Sequence, residues 1–353
     1  MKIIYLDCPS LSVTGGHKYN DAFMSFLAGY SGLEYTKTPG CSESYFGWRK
    51  ILAPLVELKH LSKLKKGDLV FWGDTSFMYH LLLALFACHF KHLNSFIIIH
   101  HYNNYPHSIK GRFLHAINKF YIMQCGTIVV PSPYTLDWAK KIFPRKKVLY
   151  VPLPFEKKYV PSTEYSIGNL LYVGTIEKRK GLHYLIEALS IYRKQKPGQR
   201  ISLDIVGKVI DKGYYDLLNR KIEDYHLSEI VHFRGRVSDD QLEKLYRKAD
   251  VFAFPSLLEG YGIVLVEALS RGVPIIAFDN SAMPYTVKDQ VNGLLAENKN
   301  ASSFADKLLS LVGNSSLRLE LQKGIKESVE ALKTQEDFEH GIRDLYDMNV
   351  IKY

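Results

Sequence analysis

Two glutamates stand eight positions apart in the stretch Phe254-Pro255-Ser256-Leu257-Leu258-Glu259-Gly260-Tyr261-Gly262-Ile263-Val264-Leu265-Val266-Glu267-Ala268-Leu269. Glu259 follows an apolar run and sits in a glycine-containing loop. Gly260 and Gly262 allow backbone N–H groups to approach a ligand closely, with Tyr261 between them. A helix is predicted to begin near Gly262, and its unpaired N–H groups and dipole suit a phosphate. Glu267 falls on that helix among Val264, Val266, Ala268 and Leu269. A carboxylate in such company needs hydrogen-bond donors to be buried at tolerable cost, and a ribose diol supplies two. The residues alone also admit plainer roles: a helix N-terminal acid for Glu259 and a buried ion pair for Glu267. A second constellation is Val173-Gly174-Thr175-Ile176-Glu177-Lys178-Arg179-Lys180-Gly181, a basic turn between an apolar run and a helical pattern.

The elements that must position these residues follow an alternating pattern. In the first half, strands are predicted at Lys2–Cys8, Asp68–Trp72, Phe96–Ile99, Thr127–Val130 and Val148–Val151. Helices are predicted from about His17 and over Phe77–Phe90 and Arg112–Gln124. The loop Ser12–Gly16, ending in Gly15-Gly16, joins the first strand to the first helix. Pro152, Pro154 and Pro161 then punctuate the chain and mark a domain boundary. The pattern restarts with strands at Leu170–Val173, Ser202–Val206, Val231–Phe233, Val251–Phe254 and Ile275–Phe278. Helices at Leu182–Lys194, Tyr214–Tyr225 and Asp239–Lys248 lie between them. Apolar strands without polar alternation, separated by helices, predict parallel sheets covered on both faces. The fold class is α/β, with two Rossmann-like doubly wound domains facing a central cleft: residues 1–160, residues 161–334, and a final helical segment 335–353 returning to the first. Ligands of such sheets bind beyond the C-terminal strand ends.

With its surroundings, the glutamate pair resembles the glycosyltransferase family 4 proteins, whose architecture is GT-B. The resemblance rests on Glu259 and Glu267 at the family's spacing, Ala249-Asp250 before the strand, Pro255-Ser256 after it, Gly272-Val273-Pro274-Ile275-Ile276-Ala277 and Val291-Asn292-Gly293-Leu294-Leu295, read as the family's next turn. It is dense from about Leu170 to Leu311 and thinner before that. It implies a retaining, metal-independent transferase that moves a sugar from a nucleotide-diphosphate sugar to a hydroxyl acceptor, in cell-surface polysaccharide, lipopolysaccharide or lipid-linked glycan synthesis. By resemblance, Arg179 and Lys180 hold the donor diphosphate, whose charge grows as the glycosidic bond breaks and which fixed cations stabilise. Glu259 holds sugar hydroxyls and Glu267 the ribose; Gly260, Tyr261 and Gly262 complete the loop. Gly15 and Gly16 face the donor across the cleft, and His100, at the end of Ser95–Ile99, lies near the transferred sugar. His100 aligns better than His101. The backbone at Arg236-Val237 lies near the nucleobase. Each of these has an ordinary counterpart: a solvated basic turn, a tight glycine turn, a structural histidine, a strand-to-helix loop. Two positions depart from the pattern. Many relatives carry Arg where this chain has Thr175, and Glu where it has Tyr285.

Composition sets the wider frame. The chain has 353 residues, 46% apolar and 23% charged, enough for two cores. Residues 1–155 carry 18 Lys+Arg against 8 Asp+Glu, while the remainder carries 28 of each. The basic first half favours an anionic partner such as a membrane leaflet or a phospholipid-linked acceptor. Pro54–Lys66, with Leu55, Leu58 and Leu61 on one side and Lys59, Lys63 and Lys66 on another, predicts a peripheral membrane contact through residues 50–66, or alternatively a helix packed on its own sheet. The basic excess is diffuse and no nucleic-acid recognition motif is present, so nucleic acid is not an expected partner. The start lacks the marks of a signal peptide, and the longest apolar run, Leu81–Phe90, is too short to span a bilayer, so a cytoplasmic setting is expected. Cys8, Cys41, Cys88 and Cys125 are scattered and read as reduced thiols. No Asp-x-Asp metal motif occurs, and no cofactor is expected. A sugar-nucleotide epimerase or phosphorylase of the same fold, and a catalytically silent binding subunit, stay open as alternatives.

Overall fold

The computed structural model describes residues 2–6, 15–38, 58–73, 83–85, 87, 93–100, 108–161 and 168–350. Ser12–Thr14, His101, Pro54–Glu57 and most of the helix expected at Phe77–Phe90 lie outside these. The chain divides into two compact units, Met1–Phe155 with Lys333–Tyr353, and Glu156–Leu332. The crossings fall at 155/156 and 332/333, against the 160/161 and 334/335 read from the sequence.

The N-terminal unit holds a six-stranded parallel sheet in the order β2-β1-β3-β4-β5-β6. Its strands are β1 (Lys2–Leu6), β2 (Glu34–Thr38), β3 (Leu69–Gly73), β4 (Asn94–Ile98), β5 (Thr127–Val130) and β6 (Lys147–Tyr150). The two-residue period of a strand sorts the side chains onto opposite faces. Ile3, Tyr5, Leu69, Phe71, Phe96, Ile98 and Val129 meet α1 (Gly15–Ser31) and the C-terminal helix α11 (Gln335–Val350). Ile4, Leu6, Val70, Trp72, Ile97, Ile128 and Val130 face the other way, against α2 (Ile109–Gln124), α3 (Pro133–Ile142) and Leu61 and Leu64. β2 was not legible in the sequence: Glu-Tyr-Thr-Lys-Thr alternates as an edge strand does, and its Lys37 pairs with Asp21 at 2.6 Å while Glu34 pairs with Lys2 at 2.5 Å.

The segment 58–62 is helical, but its apolar side is already taken. Leu61 and Leu64 are buried and Leu58 packs on the same cluster, while Lys59, Ser62, Lys63, Lys65 and Lys66 are exposed. In the described part of 50–66 the leucines pack on the sheet, as the alternative reading has it.

The C-terminal unit repeats the plan with the order β12-β11-β10-β7-β8-β9. Its elements are β7 (Asn169–Val173), α4 (Leu182–Gln195), β8 (Ser202–Val206), α5 (Lys212–Asp224), β9 (Val231–Gly235), α6 (Asp239–Lys248), β10 (Val251–Phe254), α7 (Ile263–Ser270), β11 (Ile275–Phe278), α8 (Met283–Thr286), β12 (Gly293–Ala296), α9 (Ala301–Leu311) and α10 (Ser315–Glu330). All described strand pairs are parallel, and a single buried cluster with Tyr172, Phe252, Phe254 and Phe278 at its centre joins sheet and helices. Residues 293–296, read as a turn, are the outermost strand. Asn292 explains the preceding corner: it is fully buried, its Nδ2 donates to the Thr286 carbonyl, and its Oδ1 accepts from Lys288 N. No described helix is long and apolar enough to cross a membrane.

At the start of α4, His183 is locked to α5. Its backbone N–H donates to the Tyr214 hydroxyl at 3.0 Å, and its Nδ1 lies 2.7 Å from the same oxygen. With the ring neutral, the hydroxyl can donate to Nδ1 while it accepts from the backbone N–H. Burial, with Lys221 and Lys178 nearby, lowers the His183 pKa from 6.5 to about 4. The unfolded chain thus takes up a proton before the folded one does. Stability should fall as pH drops from 6.5 toward 4, and this dependence should flatten in His183→Asn, whose Oδ1 can replace the Nδ1 acceptor without titrating. Urea unfolding of both proteins across that range measures it.

Candidate active site in the C-terminal unit

The chemistry-bearing residues of this unit gather beyond the C-terminal ends of β7 and β10, where loops of a parallel sheet converge. The loop after β7 contains a short 3-10 turn, Lys178–Lys180, closed by Gly181 at φ 69°. A Cβ on Gly181 would stand 2.0 Å from the Pro255 carbonyl oxygen. Only glycine lets the two loops come this close while holding a left-handed backbone. The approach is stitched by Leu257 N–H donating to the Arg179 carbonyl at 2.9 Å. Gly207, at φ 148°, allows a similar approach to the Gly174 carbonyl.

Glu259 is the hub of this junction. Its Oε1 receives Lys180 Nζ at 2.5 Å, Ser256 Oγ at 2.6 Å and Arg179 Nη1 at 3.4 Å. Its backbone N–H donates to Ser281 Oγ at 3.0 Å, which fixes the loop to the segment after β11. Burial opposes ionisation of Glu259, but Lys180 and Arg179 outweigh it and hold the carboxyl below its ordinary value. The two cations are not equivalent. The Lys180 side chain is 12% exposed, and its ammonium lies 5.3 Å from the centre of the Phe254 ring. Arg179 is 39% exposed and is steered by Glu177 Oε1 at 3.0 Å and the Leu258 carbonyl at 2.7 Å. Arg179 is therefore the cation that faces solvent, and Lys180 is chiefly the counter-ion of Glu259. Thr175, where many relatives carry Arg, donates instead to Glu177 Oε1 at 2.7 Å and so helps to aim Arg179.

Gly262, at φ 83°, is the N-cap of α7, with Gly260 and Tyr261 partly exposed before it. Glu267 lies on α7 about 7 Å further along the axis, from the helical rise per residue. It is half-buried and its Oε2 accepts from the Tyr246 hydroxyl of α6 at 3.0 Å. Burial, together with the adjacent Glu267 charge, pushes the Tyr246 phenol well up, so it stays a donor. Arg271 braces the pair: its guanidinium lies 4.6 Å from the Tyr246 ring centre, and it donates to Glu243 Oε2 at 2.7 Å and to the Glu267 carbonyl at 2.9 Å. Tyr246 thus helps to orient the Glu267 carboxylate. Arg236 is exposed and Val237 packs partly on the core, in the loop between β9 and the Ser238 cap of α6. That loop ends at the same edge of the sheet as the Glu259 junction, beside Gly207, whose N–H donates to the Gly235 carbonyl at 2.9 Å. Tyr285 is 39% exposed on α8.

Gly15, Gly16 and His100 belong to the N-terminal unit. The glycines form the first turn of α1 instead of the preceding loop. The structure joins two readings that the sequence kept apart, because a Cβ on Gly16 would stand 3.1 Å from the His100 ring. His100 Nε2 lies 2.8 Å from Asn20 Oδ1, and Asn20 Nδ2 donates to the Tyr5 hydroxyl at 2.6 Å. With its amide so committed, Asn20 accepts from Nε2–H and sets the tautomer of His100. Among the described residues, no group of three or more His, Cys, Asp or Glu is placed to hold a metal ion.

Residues 168–331 match the family described as glycosyl transferases group 1. A glycosyltransferase of Methanocaldococcus jannaschii is 31% identical over 225 residues, covering 62% of this chain and 58% of that protein. The D-inositol 3-phosphate glycosyltransferase of Paenarthrobacter aurescens is 30% identical over 143 residues, 40% of this chain and 35% of that one. The chain thus spans between about a third and three-fifths of the length of these relatives. Among solved structures, sucrose-phosphate synthase from Thermosynechococcus elongatus superposes with a TM-score of 0.78 at 18% identity, covering all of both chains. Anabaena HepE, solved in complex with UDP and glucose, gives 0.75 at 18% identity over 99% of this chain and 100% of that one. These likenesses establish the fold as two Rossmann-like units of the GT-B type. The match to group 1 glycosyl transferases lies within the C-terminal unit.

Removing Lys180 leaves Glu259 largely enclosed with only Arg179 and Ser256 to offset its charge. Lys180→Met should cost about 2–3 kcal/mol in chemical denaturation. The double variant Lys180→Met/Glu259→Gln should cost clearly less than the sum of the two single changes, since the charges then leave together. Additive losses would show that the two side chains are not coupled.

Proposed function

We propose that the protein is a glycosyltransferase that moves a sugar from a nucleotide-diphosphate sugar to a hydroxyl acceptor, with the donor held by the C-terminal unit. The observation that carries this reading is the Glu259–Lys180–Arg179 junction at the C-terminal strand ends, next to the glycine-capped start of α7. It offers a partly exposed guanidinium, the N-terminal end of a helix and a fixed carboxylate side by side, the complement of a sugar diphosphate.

In this reading Arg179 and the N–H groups near Gly262 take the diphosphate, and Lys180 adds charge from behind. Three donors occupy Oε1 of Glu259, so its Oε2 is the oxygen that accepts from sugar hydroxyls. Glu267, aimed by Tyr246, accepts from the ribose diol, and the loop at Arg236-Val237 lies toward the base. The bond from the anomeric carbon to the diphosphate oxygen breaks, and a bond from that carbon to the acceptor oxygen forms. The acceptor proton passes to the departing phosphate on the same face, so the anomeric configuration is retained. Charge accumulating on the diphosphate is stabilised by groups already in place, which is where fixed donors lower a barrier most. The acceptor, which we take to be a glycan or lipid-linked hydroxyl, falls to the N-terminal unit. The protein cations supply the electrophilic assistance, and no metal is required.

A panel of nucleoside diphosphates and their sugars, read by thermal shift, tests the donor site. One nucleotide series should stabilise the protein, by roughly 2.7 kcal/mol at a hundredfold excess over Kd. Glu267→Ala should lose that stabilisation and also melt somewhat lower without nucleotide, since it leaves the buried Tyr246 hydroxyl unpaired; an undiminished nucleotide shift would remove Glu267 from the site. Turnover with the stabilising donor should persist in EDTA, and loss on chelation with recovery on adding a divalent cation would overturn the metal-free mechanism.

A further inference from the structure

The outward side of α2 carries an apolar stripe that the fold leaves uncovered. Gly111, Asn118, Tyr121 and Ile122 form its buried side, with Leu114 and Ile117 packed at the border. On the other side Ile109, Phe113, Phe120 and Met123 are 88%, 64%, 47% and 50% exposed, and Ala116 is exposed between them. Steps of four, three, four and three residues place all five in one line along the helix. A helix that only covers its own sheet has no use for a second apolar face, and contiguous exposed patches of this kind mark interaction surfaces.

The borders of the stripe are of one sign. Lys110, Arg112 and Lys119 are exposed beside it, and α2 contains no acid. At the far end Lys146 Nζ donates to the Met123 and Cys125 carbonyls, both at 2.6 Å. This holds the turn with exposed Arg145 and Lys147 against the end of the stripe. Between residues 108 and 147 the chain has eight Lys and Arg and one acid, Asp137.

We propose that this face of α2 docks on an anionic lipid bilayer. Phe113, Phe120 and their apolar neighbours enter the boundary between headgroups and acyl chains, and Lys110, Arg112 and Lys119 meet lipid phosphates. A bilayer of acidic lipids supplies an apolar interior and a surrounding negative surface at once, which matches both features of the face. A second copy of the same face would bring like charges together. The surface is distinct from the described part of the 50–66 segment, where Leu58, Leu61 and Leu64 pack on the core.

The test is co-sedimentation of the full chain with vesicles of phosphatidylcholine alone and of equal parts phosphatidylcholine and phosphatidylglycerol. Binding to the anionic vesicles is expected, much weaker binding to the neutral ones, and a decline with added salt. Phe113→Ser/Phe120→Ser should weaken anionic-vesicle binding about tenfold or more, from the lost apolar contact. Lys110→Glu/Arg112→Glu/Lys119→Glu should weaken it by on the order of a hundredfold or more, given about 1 kcal/mol per basic residue at such a surface. Both variants should melt with the wild type, because the replaced side chains are exposed. The proposal fails if the wild type binds neither vesicle, binds both equally, or if either variant binds as the wild type does. It also fails if the variants alter the sedimentation coefficient while vesicle binding stays intact, since the face would then join protein copies. The readout is binding alone, so it is independent of whether the chain transfers sugar.

Discussion

The arrangement of the C-terminal unit depends on one enclosed charge pair. Glu259 and Lys180 are each 12% exposed, and neither could be so withdrawn from water without the other. Their 2.5 Å contact ties the loop after β7 to the loop after β10, across the two central strands of the sheet. The close approach of Gly181 to Pro255 makes the contact sterically feasible, and Ser256 and Ser281 satisfy further polar groups around it. With Lys180 committed inward, Arg179 is left to face outward, directed by Glu177 and Thr175. A guanidinium with a fixed direction is the physical result, and in the proposed donor-site reading little reorganisation would remain when a ligand arrives.

The same economy governs Glu267. The buried phenol of Tyr246 orients one oxygen by a hydrogen bond and leaves the net charge of the carboxylate in place. Arg271 is spent on the Tyr246 ring, on Glu243 and on a backbone carbonyl. In the N-terminal unit Asn20 plays a comparable part toward His100, with Gly16 making room for the ring. In each case a polar residue that does no chemistry of its own holds the atom that could.

Much of the fold was readable because parallel strands are buried on both faces and so appear as plain apolar runs. The runs at Thr127–Val130, Ser202–Val206, Val251–Phe254 and Ile275–Phe278 coincide with strands to the residue. The edge strand β2 escaped notice since part of it faces solvent and its Glu34 and Lys37 break any apolar run. β12 reads as a turn because Asn292-Gly293 is turn-like and only three residues follow before Glu297. For helices, amphipathic pattern alone does not say which side the sheet takes. Residues 58–66 and α2 both carry apolar and basic stripes; packing consumed the apolar side of the first and left one of the second uncovered.

At the site, residue type and local spacing determined which groups come near in sequence: Glu259 and Glu267 around one glycine-capped helix start, and Arg179 beside Lys180 in one basic turn. Such neighbours share a rigid element, so their separation follows from helix and turn geometry. The division of labour between Arg179 and Lys180, the Tyr246 clamp and the Asn20–His100 contact join residues 79, 21 and 80 positions apart. Only the tertiary structure decided these, because direction, burial and hydrogen-bond partner depend on how sheet and helices close on one another and leave no periodic trace in the chain.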